Sequence, residues 1–417
     1  ALALDHPHVI KVLGVYEADT ELRLVMEQMH GGDLQGRFLE RGALGEREAA
    51  DVARQVLLAL AHAHARGVVH RDVRLGKFLF QHHGGSTLKL IDFGHGRFFQ
   101  PGERMATRVG SPLYAAPEVT ARRYYSGSCD TWSVGMVVFA LLHGRLPFGD
   151  AGAAAGRCET LPGQWDALSN KAQDFVARLL DADPARRPTA KAALSHPWLA
   201  AGAGAATAAA RDVSRALVSF AEASLHRQAC LRWLAGRRAL PANHRLLEIF
   251  GMLDTDHAGT VDLADVRQLL ASTRRLRGAT SLPGEGDALR FVSLVLRPEG
   301  VAPAAAEGEG RISYSDFLAL MSAAQFDADD DEELTLRIFD CFEVGGFAAG
   351  LDPELPPLQR KTSDDSTEAS ECGPAPATVW FSSQSFLEDP SGDMAKRRSS
   401  PGLRKDGERR RSVALRL

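Results

Sequence analysis

The sequence predicts an α+β fold, mostly helical, followed by an all-α module and a disordered tail. Three observations carry this. Short alternating apolar runs, Val12–Tyr16 and Leu22–Met26, flank a polar turn, the pattern of paired strands. From Glu46 to Ala65 the apolar residues Val52, Val56 and Leu60 recur at helical spacing. Further on, an acidic loop from Asp254 to Asp265 has apolar residues at helical spacing on both sides. The chain has 417 residues, 45% hydrophobic and 24% charged, which suits about two to three globular domains. A net charge of −4 gives no electrostatic reason to bind nucleic acid or anionic lipid. The longest apolar run, Val134–Leu142, is too short to be a transmembrane segment. The five cysteines are scattered and read as free thiols in a reducing, cytoplasmic compartment.

Taken in order, Leu4-Asp5-His6-Pro7-His8-Val9-Ile10 leads from a helix end into the first two strands. The Glu46–Ala65 helix feeds Gly67-Val68-Val69-His70. Phe78–Phe80 and Leu88–Ile91 bracket a turn at Gly84-Gly85 and read as a hairpin. An apolar helix starts at Asp130, and His196-Pro197-Trp198 closes the first domain near residue 200. Residues 200–210 are nearly all Ala and Gly and read as a linker. A basic amphipathic helix is expected over Val213–Arg238, with Val213, Leu217, Phe220, Leu231 and Leu234 apolar. It is either a packed helix or an autoinhibitory, calmodulin-target-like segment. Residues 346–417 are rich in Ser, Pro, Gly and charge and read as disordered. Within them, Lys396–Ser399 and Arg409–Ser412 are either phosphoacceptor sites or a solvated basic tail.

Two tripeptides carry the chemistry of the first domain: His70-Arg71-Asp72 and Asp92-Phe93-Gly94. Phosphoryl transfer needs one carboxylate to orient the attacking hydroxyl and another to hold magnesium. In the second domain, Asp254, Asp256, Thr260, Asp262 and Asp265 fall at positions 1, 3, 7, 9 and 12 of an EF-hand calcium loop, with Gly259 at the sharp turn. Ala258 offers no oxygen at position 5, and Asp265 is shorter than the usual Glu, so weak calcium affinity or tolerance of magnesium is expected. A second hand at Glu307–Asp316 has Ala305 at position 1 and reads as a structural partner. Leu334–Phe342 resembles the entry helix of a third.

In this order, the motifs resemble those of the calcium-dependent protein kinases of plants and protists. The resemblance implies a protein-kinase-like bilobal fold, with mostly the α-helical C-lobe present, then a degenerate EF-hand domain. It divides the chain into a kinase domain over 1–200, a linker and junction helix over 201–242, EF-hands over 243–345 and the tail. The chain opens in mid-motif, so the N-lobe is expected to be truncated. The implied activity is serine/threonine protein kinase, with ATP, Mg2+ and Ca2+ as cofactors. The implied partners are protein substrates with basic residues before Ser or Thr, and the chain's own junction helix, captured by the EF-hands.

Position by position, Asp72 would orient the hydroxyl, Asp92 would hold magnesium, and Arg74 stands where a Lys contacts the transferring phosphate. Glu27 and Met29 would lie on the adenine-binding hinge behind Met26, with Leu79 as the pocket floor. Ser111 would line the substrate pocket, Asp33 would read a substrate Arg, and Glu118 with Arg187 would form a structural ion pair. The family's Asn after the catalytic Asp is Lys77 here, and an ammonium has no lone pair for a metal. Lys77 either folds away, leaving a one-metal enzyme of low activity, or substitutes for the metal charge in a pseudokinase or calcium-responsive binding module.

Overall fold

The computed structural model describes residues 4–17, 22–100, 103, 105–121, 125–147, 165–199, 206–240, 242–262, 264–270, 311–326, 331–346 and 379–381. Strands β1 (Val12–Glu17) and β2 (Leu22–Met26) pair antiparallel, with Val12 opposite Met26 and Glu17 opposite Leu22. A third strand, Val379–Phe381, pairs with the other side of β2, with Met26 opposite Val379. These three residues depart from the disorder expected of the tail. Val-Trp-Phe is a β-prone triplet in a polar stretch, and the edge of β2 offers it unpaired backbone groups. The rest of the tail, including both basic phosphoacceptor candidates, lies outside the described residues.

Helix α1 (Leu34–Arg41) begins at Asp33, whose carboxylate accepts from Gly36 N at 2.5 Å. Asp33, expected to read a substrate Arg, is thus also the N-cap of α1. Helix α2 (Glu46–Ala65) buries Val52, Val56, Leu57 and Leu60. Beside it lies α4 (Ser128–His143), buried from Cys129 to His143, as befits a helix that is apolar all round. Strands β3 (Val68–Val69) and β6 (Arg97–Phe98) pair, and β4 (Phe78–Phe80) forms the expected hairpin with β5 (Leu88–Leu90). Helices α3 (Pro117–Thr120), α5 (Asn170–Leu179) and α6 (Ala190–Leu194) complete this part, the last two capped by Ser169 and Thr189. Among the described residues no helix is long and apolar enough to cross a membrane.

A second core follows. The single helix expected over Val213–Arg238 is two: α7 (Ala206–Glu222) and α8 (Leu225–Gly236). Ser224 makes the break, its side chain accepting from Arg227 N and starting a new helix. Helix α7 also begins inside the expected linker, because alanine is the strongest helix former. Then come α9 (His244–Leu253), β7 (Thr260–Asp262), a helix over 264–270, β8 (Arg311–Ser313), α10 (Tyr314–Ser322) and α11 (Asp331–Gly346). Strands β7 and β8 join the two helix–loop–helix units, with Val261 opposite Ile312. Leu217, Phe220, Leu231 and Leu234 share one core with Phe250, Tyr314 and Phe317. The start of the second loop, Ala305 and Glu307, lies outside the described residues.

The two cores touch through polar contacts. Asp5 accepts from Arg238 Nη2 at 2.7 Å, from Ser315 N at 2.9 Å and from Lys11 Nζ at 3.3 Å. Burial works to raise the Asp5 carboxyl, but Arg238 and Lys11 prevail and hold it well below the usual carboxylate range. Close by, Arg66 donates to Ala258 O at 3.0 Å, and the His62 ring lies 2.9 Å from the same carbonyl.

Candidate active site

The loop after β3 hangs from one buried carboxylate. Asp130, at the start of α4, accepts from His70 N at 2.9 Å and Arg71 N at 2.8 Å. Burial alone would raise its carboxyl, but the His64 ring at 2.8 Å and nearby His70 hold it down. His70 meets Phe93 edge-on, ring centroids 4.8 Å apart, and its Nε2 lies 3.1 Å from Ile91 O. The two tripeptides are thus locked together. Each contains a non-glycine residue with left-handed backbone, Arg71 at φ 67° and Asp92 at φ 61°. Such strain persists only where surrounding bonds over-determine it.

Asp72 is buried. Its Oδ1 accepts from Ser111 N at 3.0 Å and Ser111 Oγ at 2.9 Å. Its Oδ2 faces Lys77 Nζ at 3.3 Å and Arg74 Nε at 3.6 Å. Lys77 Nζ also donates to Asp92 Oδ2. The ammonium therefore does not fold away: it stands between the two carboxylates. Burial pushes the Asp92 carboxyl up, but Lys77 and the Gly94 N–H bring it below its ordinary value. Gly110 closes the site from above. At φ 87°, a Cβ there would lie 2.2 Å from Arg71 O, so only glycine lets this segment reach the loop and deliver Ser111 to Asp72.

On the hinge side, the Glu27 carboxylate is already committed. It accepts from Lys89 Nζ at 2.5 Å and Lys11 N at 2.8 Å, leaving backbone groups for any ligand. Met29 is half-buried just beyond β2, and the chain then joins the hairpin through His30 N to Gln81 O at 3.1 Å. Leu79 is half-buried in β4 and bridges to Asp33. Asp72, Arg74, Lys77 and Asp92 thus form one cluster, with Glu27, Met29 and Leu79 on the segments next to it. Asp130 and Lys89 were not singled out as site residues from sequence. Asp130 had a signal, being the one acidic residue in an apolar helical run. Lys89 had none, because its partner lies 62 positions away.

The acidic loop is bonded to itself. Asp254 accepts from Ala258 N at 3.0 Å and Gly259 N at 2.9 Å. Burial, helped by the charge of Asp256, pushes the Asp254 carboxyl up. Asp256 accepts from Arg311 Nη2 at 3.1 Å, Asp262 from Ala264 N at 2.8 Å and Asp265 from Thr255 Oγ1 at 2.9 Å. Thr260 opens β7, its hydroxyl 3.4 Å from Arg311 Nη1. The donor types, carboxylates and a carbonyl, suit a hard cation. Among the described residues, no three His, Cys, Asp or Glu side chains converge on a metal position. Calcium would require Asp256 to leave Arg311 and Asp265 to leave Thr255.

The family model for the protein kinase domain matches residues 1–199. The chain is similar to calcium-dependent protein kinase 9 of Oryza sativa subsp. japonica, 34% identical over 344 residues, covering 80% of this chain and 57% of the relative. It is 32% identical to calcium-dependent protein kinase 10 of Arabidopsis thaliana over 346 residues, 81% of this chain and 61% of the relative. Calcium-dependent protein kinase 2 of Arabidopsis thaliana is 36% identical over 274 residues, 63% of this chain and 42% of the relative. The chain thus spans less than two thirds of these relatives' length.

Proposed function

We propose that this chain is a calcium-regulated serine/threonine protein kinase of the calcium-dependent protein kinase family, which the match of the kinase-domain model over residues 1–199 and the similarity to calcium-dependent protein kinases support. The reaction is transfer of the ATP γ-phosphate to protein Ser or Thr. The observation that carries the reading is the convergence of Asp72 and Asp92 on one space, each reaching Lys77 Nζ, with Ser111 clamped on Asp72. Asp72 orients the substrate hydroxyl and takes its proton, and Arg74 offers charge to the transferring phosphate. Asp92 is the residue that would hold magnesium, which supplies neutralising charge at the phosphates. Glu27 and Met29 present hinge backbone to adenine over Leu79.

Calcium regulation rests on Asp254, Asp256, Thr260, Asp262 and Asp265 in an EF-hand module, with α7 and α8 as its junction helices. Their shared core with α9 and α10 supports an internal EF-hand to junction-helix contact. The same reading places the kinase domain over 1–200, the junction over 201–242 and the EF-hands over 243–345, in a cytoplasmic protein whose substrates carry basic residues before the acceptor. Lys77 favours a second reading. An ammonium seated on both carboxylates opposes a metal there and suits a domain that holds nucleotide with little transfer.

With full-length protein and a peptide carrying Arg three residues before Ser, calcium is expected to speed transfer at least about tenfold over a chelator, or about 1.4 kcal/mol of coupling. Transfer that ignores calcium overturns the regulated reading. No transfer in either condition overturns the enzyme reading.

A further inference from the structure

Every carboxylate oxygen of Asp72 and Asp92 is met by a donor from the chain itself. Asp72 Oδ1 accepts from Ser111 N and Oγ, and Asp72 Oδ2 faces Lys77 Nζ at 3.3 Å and Arg74 Nε at 3.6 Å. Asp92 Oδ1 accepts from Gly94 N at 3.1 Å, and Asp92 Oδ2 from Lys77 Nζ. Two carboxylates are thus set against one ammonium and one guanidinium, and the cluster balances its own charge. The backbone fixes Lys77 in place. Its N–H donates to Arg74 O at 2.9 Å, and its carbonyl accepts at 2.9 Å from the N–H of Ile91, the residue before Asp92. The side chain is buried, so salt screens the ammonium little. Arg74 Nε is buried too and, among the described residues, makes no hydrogen bond. A buried N–H without an acceptor is costly, and a phosphate oxygen is an acceptor that suits a guanidinium well.

We propose that the first domain takes up ATP without magnesium, with Lys77 and Arg74 supplying the positive charge that meets the phosphates. Lys77 carries three N–H donors, of which two serve Asp72 and Asp92, leaving one for a phosphate oxygen. With its charge already balanced, the cluster does not repel a metal-free triphosphate as two bare carboxylates would. A magnesium ion arriving with the nucleotide instead meets an ammonium seated on Asp92, and like charges at contact repel. The inference rests on the kinase reading for the identity of the ligand and concerns binding alone. Transfer keeps its need for magnesium at Asp92, which requires Lys77 to give way. Uptake of nucleotide and entry of the metal are therefore separate events at this site.

The test is equilibrium binding of ATP to the full-length protein, read by displacement of a fluorescent ATP analogue. It is run in excess magnesium and in excess EDTA at matched ionic strength, with EGTA in both to keep calcium out. Wild type should bind ATP with dissociation constants within about threefold of each other. In EDTA, Lys77→Asn should bind ATP at least about tenfold more weakly than wild type, and magnesium should restore it, because a carboxamide can hold a metal but brings no charge. Adenosine, which has no phosphate, should bind both proteins alike in either buffer, a check that the site is folded. If Lys77→Asn no longer binds adenosine, the wild-type comparison alone decides. A wild type that weakens more than about threefold in EDTA overturns the proposal, as does a Lys77→Asn loss of less than about tenfold. ATP binding in EDTA by a wild type that transfers no phosphate leaves the proposal standing and overturns the enzyme reading. Transfer by a wild type that binds ATP only with magnesium does the reverse.

Discussion

Asp72→Asn in the full-length protein is expected to lower γ-phosphate transfer by about 10²- to 10⁴-fold, the usual worth of a positioned general base. The amide is nearly isosteric, and its oxygen still accepts from Ser111 N and Oγ, so the loop should hold its place. What disappears is the charge that attracts the substrate hydroxyl proton and one of the two anions facing Lys77. The loss should fall on kcat, with KM for ATP nearly unchanged, because the hinge is untouched. Steady-state kinetics separate the two. Retention of more than about a tenth of the wild-type kcat would remove Asp72 from its proposed role.

Arg187→Met is expected to destabilise the first core by about 3–5 kcal/mol, the cost of leaving a buried charge without its partner. Arg187 meets Glu118 through two parallel bonds, Nη1 to Oε1 at 2.7 Å and Nη2 to Oε2 at 2.6 Å, with both side chains buried. A third bond runs from Nε to Asp181 O at 2.7 Å, and the guanidinium lies 4.9 Å from the Trp132 ring centroid. The pair joins α3, at the end of the segment that delivers Ser111, to the chain before α6. Urea unfolding measures the loss as a lower midpoint of the first transition. The double replacement Glu118→Leu with Arg187→Met should recover most of it, because a buried pair and a packed apolar pair are nearly equivalent. A single-variant cost below about 1 kcal/mol would mean that the pair is solvated in solution.

Local pattern was enough for much of this molecule. The alternation in Val12–Tyr16, the helical spacing of Val52, Val56 and Leu60, and the Gly84-Gly85 turn are written in short windows, and each element forms where expected. What failed was decided by competition or by distance. Ser224 could cap or continue a helix, and capping won. The sequence showed that Lys77 carries the wrong charge for a metal ligand. It could not show that the side chain turns inward, which depends on Asp72 and Asp92 flanking the same space. The Asp5, Arg238 and Ser315 contact joins residues separated by 233 and 310 positions, and no local pattern contains it.

The account turns on whether the cluster of Asp72, Lys77 and Asp92 transfers phosphate. The direct measurement is γ-phosphate transfer from ATP to a basic Ser peptide by full-length wild type beside Lys77→Asn, with calcium present. Wild type should transfer, and Lys77→Asn should be at least about tenfold faster, because a carboxamide oxygen replaces an ammonium at the metal charge. A silent wild type with transfer restored by Lys77→Asn would contradict the account and leave the natural chain a nucleotide-holding fold without turnover.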